Sequence, residues 1–137
     1  RRVVTIAAQM ADMFQFTGLT HDPVDGQPSA GGFARREVAQ RHQWLLAAAD
    51  DRFDPLELSA LVQRTHVGPG AEEARAEAAR NLERDPSFVD ETPFLLFGSE
   101  EQVIEKLEGL REDFGIHHFV TRDPDDFAPI VAALAGR

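Results

Sequence analysis

An α/β fold, with parallel strands backed by helices on the outside, is what this sequence predicts. Three observations carry the prediction. Short apolar segments at residues 13–16, 57–65 and 117–121 alternate with longer stretches of helical periodicity. Each short segment is followed by a helix that can pack back on the sheet, and that alternation implies βαβ units. The middle segment is apolar throughout its centre, as strands buried on both faces are in parallel sheets.

The elements follow in order. Val3, Ile6, Ala7 and Met10 recur at i, i+3, i+4 and i+7, one face of an amphipathic helix. No capping residue precedes it, so a chain cut on its N-terminal side is expected. Met13-Phe14-Gln15-Phe16 reads as a buried strand. Residues 17–33 (TGLTHDPVDGQPSAGGF) form a long loop, a class that in compact domains is functional or disordered. A helix over 36–49 places Val38, His42, Leu45, Leu46 and Ala49 on one side. The strand over 57–65 comes next, then Pro69-Gly70 as punctuation and a helix over 71–84.

Residues 85–92 read as a loop with a helical turn, and 93–97 as a short apolar piece. Ser99 and Gln102 have capping-box spacing, which starts a helix at Glu100. Val103, Ile104, Leu107, Leu110 and Phe114 form its inner face, and Gly115 suits the left-handed C′ position. After the last strand, Asp123 is placed to cap a final helix with Pro124 at N1; Phe127, Ile130, Val131 and Leu134 form its stripe.

Composition narrows the function classes. The 137 residues suggest one domain spanning 1–137, and 42% hydrophobic content is enough for a core. The net charge of −10 argues against a nucleic-acid backbone or an anionic membrane as partner. Residues 71–113 hold 13 acids against 5 bases, a solvated outer face of two helices or a dock for a basic partner. The chain has no cysteine, which removes disulfides, thiolate metal sites and cysteine nucleophiles and fits a cytoplasmic protein. No apolar run is long enough to span a bilayer. No G-x-G-x-x-G follows a strand.

Several stretches resemble the bacterial luciferase-like monooxygenase family. The first is Arg1-Arg2-Val3-Val4-Thr5-Ile6-Ala7-Ala8 followed by Ala11-Asp12-Met13-Phe14. The likeness continues through Glu37-Val38-Ala39, Trp44-Leu45 and Leu58-Ser59-Ala60-Leu61-Val62-Gln63. It returns at Gly98-Ser99-Glu100-Glu101-Gln102-Val103-Ile104-Glu105-Lys106-Leu107 and ends at Gly115-Ile116-His117-His118-Phe119-Val120. The order and spacing of these pieces make the case, and the flavour is nearest to coenzyme F420-dependent members. The resemblance implies the C-terminal part of a (β/α)8 TIM barrel, strands six to eight with their helices. A whole barrel takes roughly 250 residues. It also implies F420 or FMN as cofactor, oxidoreductase or monooxygenase chemistry on a small organic substrate, and cofactor binding only with the missing N-terminal half.

Barrel sites form at the C-terminal ends of strands. The first strand delivers Phe16 to a cofactor or substrate surface, and the loop beyond it delivers His21 and Asp22. His21 is the candidate catalytic acid/base; Asp22-Pro23 alternatively builds a turn. The second strand delivers Gln63, Arg64 and His66. Arg64 can clamp an anion through its planar fork or pair with a neighbouring helix. The third delivers Arg122, where barrels often hold phosphate. His117 and His118 precede a strand centre, where one is expected to be buried, and no metal site is expected. Trp44 and His42 read as packing residues.

Two functions from different classes follow. One is part of a luciferase-like F420- or FMN-dependent oxidoreductase. The other is a non-catalytic half-barrel that binds or scaffolds, with its strand edges covered by a second copy or by an N-terminal half-barrel chain. An open flavodoxin-like sheet binding a small anion is a third reading, which three strands and no phosphate loop oppose.

Overall fold

The computed structural model describes residues 1–21, 24–54 and 56–135. The elements are α1 (Arg2–Met10), β1 (Met13–Phe16), β2 (Thr20–His21), β3 (Pro28–Ser29), α2 (Arg35–Ala49), β4 (Glu57–Leu61), β5 (Arg64–Val67), α3 (Ala71–Asn81), α4 (Pro86–Glu91), β6 (Leu95–Gly98), α5 (Glu100–Phe114), β7 (Ile116–Val120) and α6 (Pro124–Leu134). A 3-10 turn at Asp50–Arg52 follows α2.

β4 is the centre of the sheet, with β1 and β7 on its two sides, both parallel to it. The strand read as 57–65 is two pieces. A bend at Gln63 separates β4 from β5, and β5 pairs in parallel with β6. The Val62 N–H donates to Val120 O at 2.8 Å and the next N–H, Gln63, to Phe94 O at 2.7 Å. The backbone thus passes its hydrogen bonds from β7 to the residue just before β6 within one step. The apolar piece at 93–97 is therefore mostly a fourth parallel strand, and 85–92 contains the short helix α4. In a barrel arc with strands in consecutive order, β6 would separate β4 from β7; here β7 lies directly against β4. The only antiparallel pairing among the described residues is the two-residue hairpin β2–β3 inside the long loop.

Side chains alternate across a strand, so register sorts this sheet into two faces. Phe14, Phe16, Leu58, Ala60, Ile116 and Phe119 fall on the face packed against the helices, with Val38 and Leu45 of α2 and Leu110 and Phe114 of α5. Gln15, Ser59 and His118 are in register across β1, β4 and β7 on the other face. There Met13, Gln15, Glu57, His118 and Val120 are exposed. A second cluster, Val62, Leu96, Val103, Leu107, Phe127 and Ile130, joins the β5–β6 end to α5 and α6.

Three expectations are corrected by packing. The stripe Val3, Ile6 and Met10 faces outward, with Val3 and Met10 about three-quarters exposed, while Val4 and Ala8 are buried where α1 meets α2. Ala8 is small enough for a close helix approach, and that contact decides which stripe is buried. His117 and His118 are both exposed, with His118 Nε2 3.6 Å from Glu57 Oε2, because they stand at the edge strand and not in a covered one. Asp123 occupies the cap position of α6 but makes no capping bond there. Its carboxylate accepts from the Thr65 N–H instead, at 2.8 Å.

Candidate functional site

The C-terminal ends of β5 and β7 carry a polar cluster. Thr65 is buried, and its backbone N–H is held by Asp123. The Thr65 and Thr121 hydroxyls lie 3.4 Å apart, and Thr121 Oγ1 accepts from the Asp123 N–H at 3.1 Å. His66, beside Thr65 in sequence, sets Nε2 at 2.7 Å from Pro69 O and Nδ1 at 3.6 Å from Asp126 Oδ2. A turn carbonyl and a carboxylate therefore fix the ring, an arrangement that can hold or pass a proton.

The structure places the other sequence candidates as follows. Gln63 donates its amide N–H to Thr17 O at 3.1 Å, which ties the start of the long loop to the strand bend. Arg64 pairs with Glu77 of α3 at 3.2 Å, and its guanidinium lies 5.8 Å from the Phe97 ring centre, so the helix-pairing alternative describes it. Arg122 is exposed beside Asp123. Phe16 is buried edge-to-face against Phe14, with ring centres 4.9 Å apart, as a core residue. His21 is exposed in the β2–β3 hairpin, paired through its backbone with Pro28. Asp22 and Pro23 lie outside the described residues. Gln63, Arg64, His66 and Arg122 share one end of the sheet; Phe16 and His21 do not join them in a single constellation. Among the described residues no group of His, Asp and Glu is arranged to hold a metal.

Trp44 packs against the core. His42 sits between the Phe53 and Phe114 rings, at 5.6 Å from each, and burial pushes its pKa down.

A flavin or deazaflavin needs a cradle for its ring system and an anion site for its tail. The strand-end groups are already satisfied within the chain: Arg64 by Glu77, the Gln63 amide by Thr17, and Asp123 by Thr65. None of Gln63, Arg64, His66 or Arg122 lines the large cleft of about 780 Å3, which lies on the helix side between α3, α4 and α5. The described residues alone do not fit such a cofactor.

Two features escaped sequence reasoning. Ser59 is buried, yet its Oγ has no hydrogen-bond partner among the described residues. It sits in register between Gln15 and His118 on the uncovered face. No local signal marks it, because its isolation depends on three strands meeting. Lys106, half-buried on the wall of the helix-side cleft, stands in the sequence only as part of the Gly98 to Leu107 stretch; that it is the chain's single lysine was the available signal.

Among the described residues no helix is long and apolar enough to cross a membrane. No family model matches the chain, and no curated protein matches it. The chain is similar in structure to a long-chain alkane monooxygenase, LadA, with a TM-score of 0.54 and 16% sequence identity. The match covers 98% of this chain and 38% of that one. The chain therefore shares its parallel α/β architecture with part of that structure, spanning well under half of its length.

Proposed function

We propose that this chain is the C-terminal part of a luciferase-like barrel oxidoreductase, a flavin-type monooxygenase or hydride-transfer enzyme using FMN or F420 on a small organic substrate. The observation that carries the reading is the one-sided sheet. β1, β4 and β7 run parallel with helices on one face, while among the described residues nothing covers the other face or partners the Ser59 hydroxyl on it. Barrel interiors are packed layers of side chains from neighbouring strands, and Met13, Gln15, Glu57, His118 and Val120 would enter such a layer once further strands close over them. The similarity to part of LadA supports the same reading. The strand-end residues His66 and Arg122 then face the mouth of the completed barrel. His66 would hold or pass a proton there, and Arg122 would attract an anionic group. The cofactor supplies the redox chemistry when bound, and the chain's share is to position and enclose.

The test is a fluorescence titration of FMN and of F420. The chain alone is expected to bind neither below roughly millimolar concentration, a Kd of 1 mM being about −4 kcal/mol. The chain fused behind the N-terminal half of a luciferase-like barrel is expected to bind one of them. Micromolar binding by the chain alone overturns the division of the site between two halves.

The second reading is a non-catalytic half-barrel that pairs with itself or a partner chain. It is favoured by the exposed Val3, Ile6 and Met10 stripe of α1, a surface of the sort that marks interaction sites. Light scattering distinguishes it: a monomer at high concentration counts against self-pairing.

A further inference from the structure

The cleft of about 780 Å3 between α3, α4 and α5 is bordered by Arg75, Asp90, Glu91, Phe97, Glu105 and Lys106 among its lining residues. Lys106 is the only lysine of a chain with 13 arginines. Its Nζ donates to Val89 O at 3.0 Å and to Leu95 O at 2.7 Å, joining α4 to the first residue of β6. An ammonium has three N–H donors, whereas a neutral amine has two and a lone pair. The two carbonyls hold two of the three positions on the nitrogen; the third, a proton in the ammonium and the lone pair in the amine, is left to the cleft that Lys106 lines. Arginine cannot take this role, since it does not deprotonate in proteins.

Removal from water favours the amine. Burial is the largest influence and brings the Lys106 pKa down to about 7; Asp90 opposes it, while Arg35 and Arg75 act with it. The cations at the cleft are already engaged. Arg75 makes two 2.6 Å bonds to the Asp90 carboxylate and one of 2.8 Å to Glu72, and Arg35 pairs with Asp113. With Glu91 and Glu105 also on its wall, the cleft offers little to an anion.

We propose that Lys106 is a nucleophilic amine and that this cleft captures a neutral aldehyde or ketone as an imine. The nitrogen lone pair forms the bond to the carbonyl carbon. The carbon–oxygen bond then breaks, and the oxygen leaves as water with two hydrogens that come, in net, from the nitrogen. Nothing is oxidised or reduced. The neutral imine so formed takes one proton from solvent, and the resulting N–H donates to one of the two carbonyl acceptors. The inference uses none of the strand-end residues and stands or falls apart from the barrel reading.

Reductive trapping tests it. The folded chain and the urea-unfolded chain are treated with propanal and cyanoborohydride from pH 5 to 10, and the adduct is mapped by mass spectrometry. With one lysine, every ε-amine adduct belongs to Lys106. At pH 7 an ordinary lysine is neutral in roughly one molecule in 2,000, so the folded chain is expected to react roughly 10- to 100-fold faster than the unfolded one, allowing for slower entry to the cleft. The rate should rise through about pH 7 and level off, with Asp90 and Glu91 of α4, Glu72 and Arg75 of α3, Arg35 of α2 and Glu105 of α5 setting the midpoint. Glyoxylate, an anionic aldehyde, should react several-fold more slowly than propanal. A folded chain that reacts more slowly than the unfolded one at every pH makes Lys106 a closed structural tie and overturns the proposal. So does a rate still climbing beyond pH 9. Equal rates for glyoxylate and propanal overturn the preference for a neutral ligand.

Discussion

At the scale of single residues, the 17–33 loop is held by a steric fit that its composition conceals. Gly18 has φ +68°, and a Cβ there would come within 2.4 Å of the Phe94 ring and 2.7 Å of Phe33. Phe94 is fully buried and Phe33 nearly so, with their ring centres 5.2 Å apart. Gly18→Ala therefore meets both a left-handed backbone and two large rings. The expected loss is about 2–4 kcal/mol, read as a lower urea midpoint at constant slope. A loss under about 1 kcal/mol would mean that the loop gives way cheaply. From the sequence, residues 17–33 read as a long loop and 93–97 as a short apolar piece. That Phe94 seats on Gly18 follows from a contact between distant parts of the chain, which no local pattern carries. Asp123 teaches the same lesson. Its place before Pro124 reads correctly as a helix start, but the carboxylate is drawn to the Thr65 N–H across the sheet.

At the scale of elements, α5 was the most legible. Ser99 Oγ accepts from the Gln102 N–H at 3.3 Å and Gln102 Oε1 from the Ser99 N–H at 2.8 Å, the reciprocal pair that the spacing predicts. Gly115 closes the helix at φ +65°. Ser99→Ala should cost about 1 kcal/mol, and an unchanged thermal midpoint would show the box to be dispensable. The junction of α3 with α4 rests on the Arg75–Asp90 fork. Asp90 is half exposed, so a double-mutant cycle of Arg75→Met and Asp90→Asn should give a coupling of only about 0.5–1 kcal/mol, smaller in high salt. Arg75 holds the Asp90 carboxyl below its usual range. The coupling should therefore be present above about pH 4, the free carboxyl value, and disappear as acid protonates the folded pair. A coupling that persists at pH 2 would assign it to packing. By contrast α1 was misread, because its helical period was right but the wrong face was expected inside. Periodicity identifies an apolar stripe; only the position of α2 decides that Val4 and Ala8 are the buried pair.

For the whole molecule, pH dependence isolates one group. The chain has no tyrosine and no cysteine, so Lys106 is the one side chain that titrates between the histidines and the arginines. Its folded pKa of about 7 lies below the unfolded value of about 10.4. Between them the unfolded chain carries a proton that the folded chain has released. Stability must then rise as pH increases from about 7 to 10.4, by up to a few kcal/mol, and Lys106 imposes its full cost below pH 7. Urea titrations at pH 7.5 and 9.5 should show the gain in the native chain and none in Lys106→Met. A fall in stability across that window would contradict the burial of the amine.

The sequence by itself determined the alternation of helices with strands, their common direction, the caps of α5 and the acidic outer surface. These depend on local periodicity, on backbone preference at single positions and on summed charge, all of which act over a few residues. It also placed Gln63, Arg64, His66 and Arg122 at one end of the sheet, since strand direction alone orders them. The tertiary structure decided the fork at Gln63, the place of β6, the isolation of Ser59 and the seating of the half-buried Lys106 against two carbonyls. Each of these is a meeting of segments far apart in the chain, and the energy that selects it comes from packing and desolvation between those segments, not from any one of them.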